Sequence, residues 1–208
     1  MNFLRPILLA TLLTAPLCAS SFSFHGTFAA DDQVQLFGFD VASTSTVTIR
    51  SLGYGGGTDS NASVVQPGGF DTLFSVFEGN GTQIGAFDDD PGCAHSNYYN
   101  EACLDSYFSN VLPAGSYILA LTVSGNNPNG DLSDGFGEQG NGNFTCLKGF
   151  CDLFGNQNTG NWAITFSAVT SVSDVPEPAN LLVATTGLIL FSLLYLARRN
   201  SRTYRSQL

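Results

Sequence analysis

Gly69-Phe70-Asp71-Thr72-Leu73-Phe74-Ser75-Val76-Phe77, a turn at Asn80-Gly81, then Gln83-Ile84-Gly85-Ala86-Phe87 running into Asp88-Asp89-Asp90, is the stretch that decides the fold. β-Branched and aromatic residues fill both arms, and a turn dipeptide separates them, which predicts strand, turn, strand. The same style recurs outward along the chain. Phe22, Phe24 and Phe28 alternate with small or polar residues, with Gly26 breaking the register. Val34, Leu36 and Phe37–Phe39 continue it, as do Val47 with Ile49, then Tyr107–Leu112. Tyr117, Leu119, Leu121 and Val123 form another run, and Trp162, Ile164 and Phe166 the last. Each run is short and bounded by Gly, Asn, Asp, Pro or Ser. No long helical period interrupts them. About eight such strands predict an all-β domain over residues 21–168, a β-sandwich or jelly roll.

The charge is unevenly spread. Of seven Lys and Arg, five sit at the chain ends: Arg5, Arg198, Arg199, Arg202 and Arg205. Between Ser21 and Asp174 only Arg50 and Lys148 are basic, while nearly all of the 17 acidic residues lie there. Such a domain repels phosphate backbones, so nucleic acid is a poor partner. The charge suits divalent cations, or simply solubility.

Residues 1–20 read as a signal peptide, with Arg5 as the basic start, an apolar run Ile7–Leu13 and small residues before a cut after Ala19 or Ser20. The run is too short to span a bilayer. Cys18 follows Leu17, where a lipoprotein signal wants a small residue, so lipidation is disfavoured. Four cysteines then remain: Cys93, Cys103, Cys146 and Cys151. An even number in an exported chain favours disulfides. Three pairings are open. The local one, Cys93–Cys103 with Cys146–Cys151, is preferred because each bridge ties off one long loop. Neither spacing matches the close cysteine pairs that zinc sites use.

Residues 169–178 read as a linker that ends in Val175-Pro176-Glu177-Pro178. Residues 179–197 follow as a membrane helix at the short end of the usual length, built on the apolar run Leu181–Leu196. Residues 198–208 form an Arg-rich tail in which Arg198 and Arg199 act as a cytoplasmic stop. This orientation puts the large domain outside, in agreement with the leader. The tail as a whole resembles the PEP-CTERM sorting signal. That resemblance implies recognition by an exosortase-type membrane peptidase and a cut near Pro176–Pro178. The protein is then anchored in the inner membrane before processing, and afterwards resides on the cell surface or in the extracellular matrix of an exopolysaccharide-making bacterium. Two prolines suit such a site, because they cannot continue a helix and keep the segment extended.

Residues ~70–123 carry a second resemblance. The Asp-led strand, the turn, the second strand, the Asp-rich loop, Asp105-Ser106-Tyr107 and Leu112-Pro113-Ala114-Gly115-Ser116-Tyr117 come in one order. That order is similar to the bacterial pre-peptidase C-terminal (PPC) domain. The resemblance implies a small accessory β-sandwich without catalytic machinery, a hairpin at Leu112–Tyr117, and binding of surfaces, polymers or, in some members, calcium. The chain departs from that pattern in the long loop holding Cys93 and Cys103, and in the insertion Gly125–Asn143.

Calcium takes about 6–8 hard oxygen ligands. Asp88, Asp89 and Asp90 follow a strand, Asp71 opens its neighbour, and Asp105 opens the next, so three strand ends offer a metal set. A second acidic loop, Asp131–Gly135, leads on to Glu138. The competing reading is turn chemistry, in which Asp side chains bond nearby backbone amides. Clustering like charges costs energy unless a cation compensates. For catalysis, paired carboxylates could cleave glycosides, but no motif selects a pair. His25 lies among phenylalanines, His95 lies in the Cys93–Cys103 loop, and no nucleophile elbow surrounds a serine. Tyr54, Tyr98, Tyr99 and Phe136 fall in loops, where they either stack on sugars or pack under their own loops. The sequence therefore predicts a non-catalytic structural or polysaccharide-binding surface module, with exopolysaccharide as the partner and calcium as the cofactor. The alternative is a secreted hydrolase acting on matrix polymers.

Overall fold

The computed structural model describes residues 20–100 and 102–175. The signal peptide up to residue 19, Pro176, Glu177 and Pro178, the 179–197 membrane helix and the tail with Arg198 and Arg199 lie outside the described residues. All eight apolar runs are strands. They are β1 (Ser20–Thr27), β2 (Gln35–Val41), β3 (Ser45–Ser51), β6 (Thr72–Glu78), β7 (Gln83–Asp88), β8 (Tyr107–Leu112), β9 (Gly115–Val123) and β10 (Asn161–Val169). Three more are present: the two-residue strands β4 (Gly57–Thr58) and β5 (Val64–Val65), which pair as a ribbon, and β11 (Ser171–Val175).

Two antiparallel sheets form a sandwich-like arrangement. One has the order β1-β10-β3-β8, the other β11-β2-β9-β6-β7. Consecutive strands mostly cross from one sheet to the other, and β6–β7 is the hairpin read from Asn80-Gly81. Gly81 has φ +93, a conformation that costs a residue without Cβ nothing. The stretch Leu112–Tyr117 is not a hairpin. It turns the corner between the sheets, β8 pairing with β3 and β9 with β2 and β6. Tyr117 fastens that corner by donating its hydroxyl to the Pro113 carbonyl at 3.0 Å.

The core lies between the sheets. Ile49, Phe108, Ile164 and Phe166 face Phe37, Phe39, Phe74, Leu119 and Leu121. Trp162 joins Phe37 edge to face at 5.8 Å. Gly26 is where this indole crosses β1, since a Cβ there would run into the ring, and this explains the gap in the Phe22–Phe28 alternation. Each buried ring or aliphatic side chain contributes about 1.5–3 kcal/mol.

A second, smaller core covers the outer face of β2, β9 and β6. Leu36, Phe77 and Ala120 are buried there beneath Phe136, with Leu132 packed alongside. The insertion after Gly125 supplies that cover, and Leu132 anchors it by donating its amide to the Gly81 carbonyl at 2.9 Å. Thr72 to Phe77 are thus buried on both faces of the sheet. A strand of this kind needs no polar alternation, which is why Leu73-Phe74-Ser75-Val76-Phe77 has little.

The stretch read as a linker begins as a strand. β11 pairs with β2 from Ser171 opposite Asp40 to Val175 opposite Leu36. Val172 packs on the main core and Val175 on the smaller one. As an edge strand of alternating Ser, Val and Asp, it carries too little apolar pattern to stand out in sequence. The sandwich therefore reaches Val175, the first residue of the Val175-Pro176-Glu177-Pro178 stretch. Both disulfides take the local pairing, with Cα–Cα distances of 5.5 Å for Cys93–Cys103 and 5.7 Å for Cys146–Cys151.

Candidate metal centre

Asp71 immediately precedes β6, Asp88 closes β7, and the ladder sets Leu73 opposite Asp88. The chain then turns at Asp89, which sits at φ +26, a left-handed value that Asp tolerates better than most residues. The result gathers three carboxylates. One oxygen each from Asp71, Asp88 and Asp89 lies within 4.8 Å of the others. The start of the long loop after β9 closes the side. Ser124 donates its amide to the Asp71 carbonyl and its hydroxyl to Asp88 Oδ2, both at 2.9 Å.

Asp71 is 4% exposed, and its buried Oδ1 has no hydrogen-bond partner. Asp89 Oδ1 is likewise buried and unpartnered. Burial pushes the Asp71 carboxyl up to about 8, with the charges of Asp88, Asp89, Asp152 and Asp105 adding to it. Burial and then Asp88 push Asp89 up to about 6. Burial also raises Asp88, against the bonds from Ser124 and the Asp89 amide. A buried acceptor without a donor is costly, and so is a cluster of like charges. A divalent cation removes both costs at once. The oxygens are hard ligands of the type calcium takes, and carbonyls and water commonly complete its shell.

The other buried carboxylates make the contrast. Asp105 accepts from Ser51 Oγ at 2.7 Å, the Tyr54 amide at 3.1 Å and the Gly55 amide at 2.7 Å. Burial still raises it, but its oxygens are spent on pinning the β3–β4 turn, so Asp105 does not join the set. Asp90 also stays out. Its Oδ2 accepts from the His95 amide, which starts the Cys93–Cys103 loop, while its Oδ1 is buried without a partner. In the second acidic loop, Asp131 accepts from the Gln83 amide and Asp134 from the Asp131 amide, both at 3.0 Å, so turn chemistry holds there.

Three structural carboxylates gave no signal in sequence. Asp31, fully buried, accepts from the Phe144 and Thr145 amides and from Thr145 Oγ1 at 2.6 Å. Burial alone would raise its pKa, but these bonds outweigh it and the group is lowered. Asp152 takes the Tyr54 hydroxyl at 2.9 Å and the amides of Phe154 and Asn156. Burial is outweighed there too, and the carboxyl is lowered. Asp59 pairs with His25, Nε2 to Oδ2 at 2.8 Å. Apart from the local turns at Asp59 and Asp152, these partners lie 34 to 114 residues away, beyond the reach of a local pattern.

Among the described residues neither His25 nor His95 is hydrogen-bonded to a serine hydroxyl, and the His95 ring instead stacks on Tyr107 at 3.9 Å. Of the four loop aromatics, Tyr54 and Phe136 are buried and Tyr99 packs edge to face on Tyr54. Only Tyr98, 69% exposed, keeps an open ring. The others pack under their own loops. No known family model matches the chain, and no curated protein matches it at a significant level.

Proposed function

We propose that the chain is an exported, non-catalytic module of the cell surface or extracellular matrix, a β-sandwich clamped by calcium at Asp71, Asp88 and Asp89 and serving to bind polysaccharide. The observation that carries this reading is the buried Asp71 carboxyl, its Oδ1 without a partner, gathered with two further carboxylates. A domain does not gain by keeping such a group unless a cation completes it. Two local disulfides suit an oxidising compartment. The tail supports sorting by an exosortase-type peptidase, with the 179–197 helix holding the chain in the inner membrane until the cut. A cut within Pro176–Pro178 leaves β11 whole on the released domain, because that strand ends at Val175.

Thermal unfolding with calcium and with chelator tests the clamp. Calcium well above its dissociation constant is expected to raise the midpoint by roughly 5–10 °C. Asp71→Asn is expected to abolish that response. In chelator it is expected to melt above the parent chain, because it removes the cost of burying a carboxyl among like charges. A parent chain indifferent to calcium, with Asp71→Asn no more stable in chelator, would sink the clamp. Export and processing are read from the intact mass of protein recovered from its own cells. The expected chain begins at Ser20 or Ser21 and ends within Pro176–Pro178; a mass that retains the tail makes the helix a permanent anchor.

A further inference from the structure

The outward side of the β1-β10-β3-β8 sheet is built unlike the rest of the molecule. One rung runs Ser23, Thr165, Arg50, Tyr107 across the four strands in register. The next runs Ser167, Thr48, Ser109, with the Ser21 hydroxyl bonded to Ser167 at 3.4 Å. Apart from Arg50 and Tyr107, every outward side chain on these rungs is a hydroxyl. Of these, Thr48, Arg50, Tyr107, Thr165 and Ser167 floor a groove of about 300 Å³, walled by Ser60 and by His95, whose ring lies flat on Tyr107 with 16° between the planes. The disulfide loop delivers that ring. Asp90 holds the His95 amide, and Asn97 Nδ2 bonds the Gly56 carbonyl at 3.0 Å.

Arg50 is the anomaly in this groove. In a chain of net charge −10 it is one of two cations between Ser21 and Asp174. Among the described residues no carboxylate lies within ion-pair distance of it. Its guanidinium makes one hydrogen bond, from Nη2 to the Thr58 carbonyl at 3.1 Å, which leaves most of its five donors open. The carboxylate that lines the same groove, Asp59, is already taken, by His25 at 2.8 Å and by the amides of Asn61 and Ser63 at 2.8 Å each. An unneutralised guanidinium beside a ring and a floor of hydroxyls has the chemistry of a site for a carboxylated sugar. The planar fork takes a carboxylate bidentately, the hydroxyls exchange hydrogen bonds with ring hydroxyls, and the flat ring face receives the apolar face of the sugar.

We infer that this groove, centred on Arg50 with Tyr107, His95, Thr48 and Ser167, is a binding site for a uronate-bearing glycan segment. The inference rests on the module reading above, and names where that module meets its polymer and which sign of polymer it takes. The site is small, at the lower end of ligand pockets, so it grips one or two sugar rings and leaves the rest of the chain to run across the hydroxyl rungs.

The test is calorimetric titration of the full chain in detergent with hexa-galacturonate and, separately, with neutral maltohexaose. Chelator is present throughout, so that calcium cannot bridge an acidic protein to an acidic glycan. The charged oligomer is expected to bind at least tenfold more tightly than the neutral one, and to weaken as salt rises. Arg50→Ala is expected to lose tenfold or more. Ser167→Asp, which leaves the guanidinium in place but adds a negative charge to the floor, is expected to do the same with an unchanged melting midpoint. Absent binding, equal affinity for both oligomers, or full affinity in both variants would overturn the site. Chain-length measurement on the glycan afterwards separates the two levels. Intact hexamer keeps the module reading, whereas shorter products overturn that reading, and the loss or retention of affinity in Arg50→Ala still decides the groove.

Discussion

On one outer face of the sandwich, Leu36, Phe77 and Ala120 are sealed beneath Phe136 and Leu132. On the other, Ser21, Thr48, Ser109 and Ser167 stand on the outer face with no apolar cover among the described residues, and only Ser60, bonded to Ser23, and His95, stacked on Tyr107, lean over the next rung. Both faces belong to antiparallel sheets with the same central core behind them. The difference lies in which side chains sit at the outward positions. An apolar outer face must be covered, and here the Gly125–Asn143 insertion does the covering. A hydroxylated face needs no cover and stays available. The insertion is thus a packing device, and its aromatic, Phe136, is spent on the protein itself rather than on a ligand.

The contrast is broken most directly at Phe136. Phe136→Ala is expected to cost about 3 kcal/mol, because the ring is buried against the sheet and its loss leaves a cavity. Urea unfolding measures it. A loss within about 0.5 kcal/mol, the usual range for an exposed site, would mean that the insertion rides on the sheet without sealing it.

A second, smaller effect is expected at the other end of the same long connection, where Asp31 holds Phe144 and Thr145. Asp31→Asn is expected to cost roughly 2 kcal/mol near neutral pH, since hydrogen bonds to a charged acceptor are the strong ones. The folded-state pKa of Asp31 is lowered. Its contribution is therefore complete above the unfolded-chain value of about 3.9 and is lost as pH falls through the lower folded value. The gap between the two proteins should stay constant from neutrality down to about pH 4 and close below it. A gap that widens in acid would reverse the sign of the Asp31 contribution.

The reach of the sequence follows from the range of the interactions. Strands announce themselves locally, so all eight runs were legible, as was the turn at Asn80-Gly81. The carboxylate cluster was half legible. Asp71 and the Asp88-Asp89 pair flank one hairpin and are brought together by its register, whereas Asp105 and Asp90 looked equivalent in type and position, but Asp105 is spent on amides and Asp90, one oxygen on the His95 amide and the other orphaned, lies outside the cluster. Nothing local distinguishes an orphaned carboxylate from a satisfied one. The Arg50 groove was least legible, because its rung draws Ser23, Arg50, Tyr107 and Thr165 from four strands spread over the whole domain. Val175 escaped for the opposite reason, since an edge strand with polar alternation resembles a linker until its partner is known.

The smallest expected effect sharpens the comparison from the open side. Val111 stands 59% exposed on β8, the edge strand of the hydroxylated sheet, opposite Thr46. It is the apolar exception among the outward residues of that strand and the one place where a hidden cover would be felt. Removing two largely solvated methyl groups by Val111→Ala forfeits little transfer free energy and some strand propensity, so the change should stay within about 0.5 kcal/mol. Urea midpoints of the two proteins measure it. A loss above about 1.5 kcal/mol is the size expected when a buried aliphatic side chain is cut back. It would mean that Val111 is covered in solution, by a second copy of the chain or by a segment beyond Val175, and that the open face is closed at its β8 edge.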